Sequence, residues 1–161
     1  MKPLPLLTFS FIDWLEDQDT KEKTLVEFGC GESTIYFSKR FKKIITYEDD
    51  DYWIHFINSH NLNNVETKVF KQGFYKNDLE LIKNADFILI DNHPHETNNR
   101  LYTAEVLMEK INYQNTLILD NGNLNAYAYF YLKSKYEKCK DFIGNDRQGP
   151  GAVTSVFNDR K

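Results

Sequence analysis

Cysteine, proline and glycine are scarce in this chain of 161 residues, which holds two, four and seven of them. Two cysteines, Cys30 and Cys139, cannot build a disulfide framework or a zinc knuckle by themselves. The chain has no internal repeat, low-complexity tract or Gly/Ser linker, which excludes fibrous and linker-rich designs. Long apolar runs are missing as well. The longest strong one, Phe87-Ile88-Leu89-Ile90, falls far short of the roughly 20 residues a membrane helix needs. The N-terminal stretch MKPLPLLTFSFIDWLEDQD is only superficially like a secretion signal. Two prolines break it, Asp13, Glu16 and Asp17 follow, and no small-residue cleavage site is present. A reducing cytoplasm is the expected compartment, with no membrane partner. Basic excess is lacking too: 20 Lys and Arg stand against 24 Asp and Glu, a net charge of −4. On that balance no nucleic-acid partner is expected.

What is present is a chain of one-domain length with 41% hydrophobic and 15% aromatic residues. Residues 1–161 are read as a single domain, able to bury roughly 68–70% of its unfolded surface. Short β-rich runs alternate with helical stretches. Helical patterns cover residues 8–18, Glu32–Phe41, Asp50–Ser59, Asp78–Lys83, Thr97–Ile111 and Leu124–Tyr136. Strand patterns cover Lys23–Phe28, Lys43–Tyr47, Val65–Phe70, Asp86–Ile90, Thr116–Leu119, Lys140–Ile143 and Ala152–Phe157. The last two flank the turn-rich GNDRQGPG of residues 144–151, so they are expected as an antiparallel pair. The alternation predicts an α/β three-layer sandwich, Rossmann-like, around a mostly parallel seven-stranded sheet with an antiparallel last strand.

The most informative segment is Glu27-Phe28-Gly29-Cys30-Gly31-Glu32-Ser33-Thr34, where the first strand turns into a helix. Gly29 and Gly31 let the backbone turn sharply and approach a ligand with no Cβ in the way. In open α/β sheets, ligands bind beyond the carboxyl ends of the strands at the switch point that this turn borders. A dinucleotide fingerprint wants a third glycine; Thr34 stands there instead. Glu48 closes the second strand, and a carboxylate there can accept both ribose hydroxyls. Asp49, Asp50 and Asp51 after it read as a helix cap, while Tyr47 and Trp53 either flank an adenine or belong to the core. Asp91 and the pair Asp120-Asn121 follow two apolar strands and point into the same crevice.

Acid–x–Gly–x–Gly after strand one resembles motif I of the class I S-adenosylmethionine-dependent methyltransferases. The resemblance implies that Glu27, Gly29, Cys30, Gly31, Ser33, Thr34 and Glu48 hold S-adenosyl-L-methionine. Asp91 with Asp120-Asn121 looks like the catechol/caffeoyl-CoA type of O-methyltransferase, and implies Mg²⁺ on Asp91, Asp120 and Asn121. A metal there would hold an acceptor hydroxyl and lower its pKa. That group carries a Lys three residues after its first Asp. Here the position is Pro94, and His93 and His95 beside it are the candidate bases with Asp91. The acceptor implied is a small-molecule hydroxyl. Two other readings stay open: a nicotinamide-dependent oxidoreductase, and a cofactor-binding module without catalysis. Cys30 reads as structural. Arg100 reads equally as an anion ligand or a solvated helix residue, and Arg147–Gly151 as a substrate-covering loop or a plain turn. Tyr127 and Tyr131 are expected to share a helix face, with Tyr129 away from them.

Overall fold

A computed structural model describes residues 5–70, 78–92 and 99–161. The chain runs α1 (Phe9–Glu16), β1 (Thr24–Phe28), α2 (Glu32–Phe37), β2 (Lys43–Glu48), α3 (Asp51–Ser59) and β3 (Val65–Val69). It continues with α4 (Leu79–Lys83), β4 (Phe87–Ile90), α5 (Asn99–Glu105), β5 (Thr116–Leu119), α6 (Ala126–Lys135), β6 (Tyr136–Asn145) and β7 (Pro150–Arg160). The seven strands lie in the order β3-β2-β1-β4-β5-β7-β6. The first five pair in parallel, and β7 pairs antiparallel with both β5 and β6. This is the expected sheet, with β1 central, so the order reverses between β1 and β4.

Strand alternation explains the two apolar layers. Val26, Phe28, Ile45, Tyr47, Ile88, Ile90, Leu117 and Leu119 face one side, against Ile82, Ala104, Leu107, Ala128 and Leu132 of the helices there. Leu25, Ile44, Leu89 and Ile118 face the other, against Phe11, Ile12 and Leu15 of α1 and Tyr36 and Phe37 of α2. Central strands buried on both faces therefore read as continuous apolar runs.

Several boundaries differ from the sequence expectation. The helix expected over Glu32–Phe41 stops at Phe37, and the one expected over Leu124–Tyr136 is Ala126–Lys135. The long helix expected to Ile111 is α-helical only to Glu105; Val106–Ile111 widens into a π-turn ended by left-handed Asn112. The largest difference is β6, which spans ten residues, Tyr136–Asn145, rather than four. Only Tyr136 and Phe142 of it are buried, because it is an edge strand, and lysines at 138 and 140 are typical edge protection. Its polar sequence hid its length.

Candidate functional site

The turn after β1 is built by one buried acid. Glu27 is 0% exposed. Its two carboxylate oxygens accept from the hydroxyls of Ser33 at 2.5 Å and Thr34 at 2.6 Å. The Thr34 hydroxyl also accepts from the Gly31 N–H at 3.1 Å. Thr34, standing where a dinucleotide site has glycine, is thus the bolt of this turn. Burial pushes the Glu27 carboxyl up to about 8, the two hydroxyls opposing that only in part. Gly29 sits at φ +93, and a Cβ there would lie 2.7 Å from the Asp91 carbonyl oxygen. Only glycine lets β1 leave the sheet this close to the end of β4.

Glu48 ends β2, 8% exposed. One of its oxygens accepts from Cys30 N–H at 2.9 Å, the other from the Asp49 and Asp50 N–H groups at 2.9 and 3.0 Å. Desolvation raises its pKa, and these three backbone donors oppose the rise. Asp50 caps α3 by accepting from Tyr52 N–H. Tyr47 stacks on Phe28 within the core, whereas Trp53 faces the Gly29–Gly31 turn, its ring 3.7 Å from where a Gly31 Cβ would be. Burial and the two neighbouring acids raise the Cys30 thiol far above its ordinary range, which leaves it unreactive at neutral pH.

These groups line a cleft of about 390 Å³ at the carboxyl ends of the strands. Gly29–Ser33, Glu48–Asp50 and Trp53 form one wall; Asp91, Arg100, Asp120, Asn121, Leu124 and Asn125 form another. Leu6, Asp146 and Gln148 complete the lining. Glu27 is not part of it; the acid lies beneath the turn. A second cleft of about 400 Å³, lined by Gln18, Lys23 and Asp86 among others, contains none of the candidate residues.

The ends of β4 and β5 correct the sequence reading. Asp91, Asp120 and Asn121 do meet, but around a guanidinium. Arg100, 4% exposed, donates from Nη2 to Asp91 Oδ1 at 2.9 Å, from Nη1 to the Asp120 carbonyl and from Nε to the Asn92 carbonyl at 2.9 Å. Nη1 also reaches Asn121 Oδ1 at 3.5 Å. A fixed cation already sits where the three oxygens would hold Mg²⁺, so they do not fit that ion. Among the described residues no group of three or more His, Cys, Asp or Glu could hold a metal. Arg100 is therefore neither solvated nor free for a substrate anion. Asp120, 2% exposed, turns away to accept from Thr154 Oγ1 at 2.7 Å, and that hydroxyl accepts from Thr8 N–H at 3.2 Å. Burial and the Asp91 charge push Asp120 up to about 8. Asp91 is also raised by burial, with Arg100 opposing. His93, Pro94 and His95 lie outside the described residues. The Thr8–Thr154–Asp120 chain was missed from sequence, because its members lie 34 and 146 positions apart.

On α6, the Tyr129 hydroxyl donates to Asp141 and the Tyr131 hydroxyl to Glu109, while Tyr127 is 75% exposed. The tyrosines are tethers and surface, and none lines the cleft.

No family model and no curated protein matches the sequence. Solved structures do match in fold. An rRNA methylase from Streptococcus thermophilus superposes with a TM-score of 0.64 at 13% identity, covering 94% of this chain and 95% of that one. A dimethyladenosine transferase from Plasmodium falciparum gives 0.59 at 16% identity, with 96% of this chain spanning 62% of that one. Fibrillarin from Aeropyrum pernix, with natively bound S-adenosyl-L-methionine, gives 0.62 at 8% identity over 86% of this chain and 67% of that. The fold is the Rossmann-like methyltransferase fold. The rRNA methylase also overturns the expectation of no nucleic-acid partner: a chain of this fold and size is an RNA enzyme. Net charge is a weak guide to partners because it averages over the surface. Residues 126–161 carry seven Lys and Arg against four Asp and Glu, within a chain of net −4. Among the described residues no helix is long and apolar enough to cross a membrane.

Proposed function

We propose that the chain is an S-adenosylmethionine-dependent methyltransferase. The observation that carries this reading is the convergence of the Gly29–Gly31 turn, the Glu48 carboxylate and the Trp53 ring on one wall of the switch-point cleft. The donor set suits the cofactor. Glu48 has carboxylate lone pairs beyond its three backbone donors for ribose hydroxyls. Trp53 offers a flat apolar surface for adenine, and Gly31 keeps the space before it open. An acid-lined cleft suits a ligand carrying both sulfonium and ammonium charges. Bound S-adenosylmethionine supplies an electrophilic methyl group, so the protein's share is mainly position and proton removal. Asp91 lines the cleft and keeps one oxygen outside the Nη2 pair with Arg100. It is placed to take a proton from an acceptor hydroxyl or amine.

The sheet speaks against a nicotinamide enzyme. Its antiparallel β7 between β5 and β6 departs from the dinucleotide order, and Thr34 is locked to Glu27 where close helix packing would want glycine. The acceptor class in this reading is a hydroxyl or amine, on a small molecule or on RNA; the rRNA methylase of the same size supports including RNA. Calorimetry with S-adenosylhomocysteine tests the cofactor half, and NADH is the control. Micromolar binding of the first and none of the second is expected. Absence of S-adenosylhomocysteine binding refutes the proposal.

A further inference from the structure

The hairpin of β6 and β7 overshoots the sheet. β7 pairs with β5 only through Ser155, Val156 and Phe157. Its first five residues, Pro150–Thr154, run on past the end of β5 with Phe142–Asn145 of β6 beside them. The base of this arm is pinned, because Thr154 Oγ1 donates to Asp120, the Gly122 N–H donates to the Val153 carbonyl and Asn123 Nδ2 donates to the Gly151 carbonyl, so the tip at 145–150 is the part that stands clear. Its register shifts between Gly144 and Asn145, and such bulges bend a strand pair. Gly149 and Gly151 take φ +142 and +90, yet neither would bring a Cβ within 4 Å of anything. Glycine serves conformation here, not close packing. At the tip, Asp146 Oδ1 accepts from the Gln148 and Gly149 N–H groups at 2.6 and 3.0 Å. Asp146 and Gln148 line the cleft. Arg147, between them, pairs with Glu32 in the first turn of α2.

That pair ties the tip of the arm to α2. α2 follows β1, which stands three places from β7 in the sheet, about 14 Å away. To reach it the arm must cross the ends of β4 and β5, where Asp91, Arg100 and Asp120 sit. Arg147 and Glu32 are 33% and 36% exposed. An ion pair this wet is screened by salt and opens readily. We propose that the arm is the acceptor-side wall of the cleft and that the Arg147–Glu32 pair is the latch holding it shut, so that ligand exchange waits on its opening. The identity of the exchanging ligand rests on the methyltransferase reading; the latch does not.

Two measurements on the full chain separate these. Limited trypsin digestion reads the latch without ligand, because Arg147 is itself a cleavage site. Cleavage after Arg147 is expected to be slow at low salt, and roughly fivefold faster in Glu32→Gln or in the wild type at 0.5 M NaCl, the scale of an exposed ion pair. Equal rates in all three refute the latch. Stopped-flow Trp53 fluorescence with S-adenosylhomocysteine reads the gate. Arg147→Gln should speed association and dissociation together by roughly the same factor, and the swap Glu32→Arg with Arg147→Glu should restore slow exchange. If Arg147→Gln exchanges at the wild-type rate, the arm does not gate the cleft. If the wild type binds no S-adenosylhomocysteine, the methyltransferase reading fails while the digestion still decides the latch.

Discussion

Glu27→Gln makes the buried acid a measurable object. Glu27 lies beneath the glycine turn with 0% exposure, and its close donors among the described residues are two hydroxyls. Its carboxyl, pushed by burial to about 8, keeps its proton in the folded chain at pH 7, while the unfolded chain loses that proton near 4.5. The folded state therefore binds one more proton between those values. Stability from this group is complete below about 4.5 and drains away as pH rises to about 8, at about 1.4 kcal/mol per pH unit. Gln removes the titration but keeps the shape. Its amide oxygen accepts from Thr34, and its NH₂ donates to Ser33, whose hydroxyl can rotate. Urea melts of both proteins at pH 5.0 and 7.5 should show the wild type losing about 3 kcal/mol more than the variant across that interval. In thermal melts that is a difference of roughly 6–12 °C, at about 2–4 °C per kcal/mol for a chain of this size. Comparing slopes cancels every other titrating group. Parallel slopes would refute the argument, since Glu27 would then be ionised and held by its hydroxyls at an ordinary pKa.

Glu48→Ala should weaken S-adenosylhomocysteine binding by about 1–3 kcal/mol in calorimetry, the cost of a lost charged partner; unchanged affinity removes Glu48 from the site. Arg100→Lys should lower stability by about 2–4 kcal/mol in denaturant melts, because one ammonium cannot span Asp91, Asn92 and Asp120 as a guanidinium fork does; a neutral outcome would mean the strand ends hold without the clamp. Since Arg100 fills the place of the ion, EDTA should leave cofactor affinity and methyl transfer unchanged, and a loss restored by Mg²⁺ would overturn that correction. Gly29→Ala should cost at least about 1–3 kcal/mol of stability, with φ +93 and a 2.7 Å approach to the Asp91 carbonyl; a wild-type melt would show that the turn is looser than described.

Local chemistry made half of the site legible. The Gly29–Gly31 turn, Glu48 and the strand ends sit next to each other in sequence patterns whose periods change from strand to helix. Their meeting at the switch point follows from the sheet order alone. Burial depth did not follow. Glu27 reads in sequence as an acid near a ligand, yet Ser33 and Thr34 enclose it under the turn. Arg100 reads in sequence as an anion ligand or a solvated helix residue, and its clamp role was hidden because its partners belong to strand ends 9 and 20 positions away. β6 was cut short for the opposite reason: eight of its ten residues are at least partly exposed, so an edge strand passed for turn.

Four of the carboxyls at or beneath the cleft divide by the kind of donor that meets them. Glu27 and Asp120, 0% and 2% exposed, are met by hydroxyls alone among the described side chains, and both are pushed up to about 8. A hydroxyl can serve a neutral acid as well as a carboxylate, so it does little to hold a charge in a dry place. Glu48 meets three backbone N–H groups and Asp91 a guanidinium. Those donors cannot turn round to accept, so they favour the ionised form and work against the burial of each acid. Glu48 and Asp91 reach the cleft with donors that oppose their protonation; Glu27 lies below the cleft, and Asp120, though part of its lining, is tied back to Thr154. Environments that push paired acids apart in this way assign them different work. Glu27 and Asp120 hold the turn and the N-terminal segment as neutral acids, and in the methyltransferase reading proposed above Glu48 and Asp91 are the pair that meets the ligand.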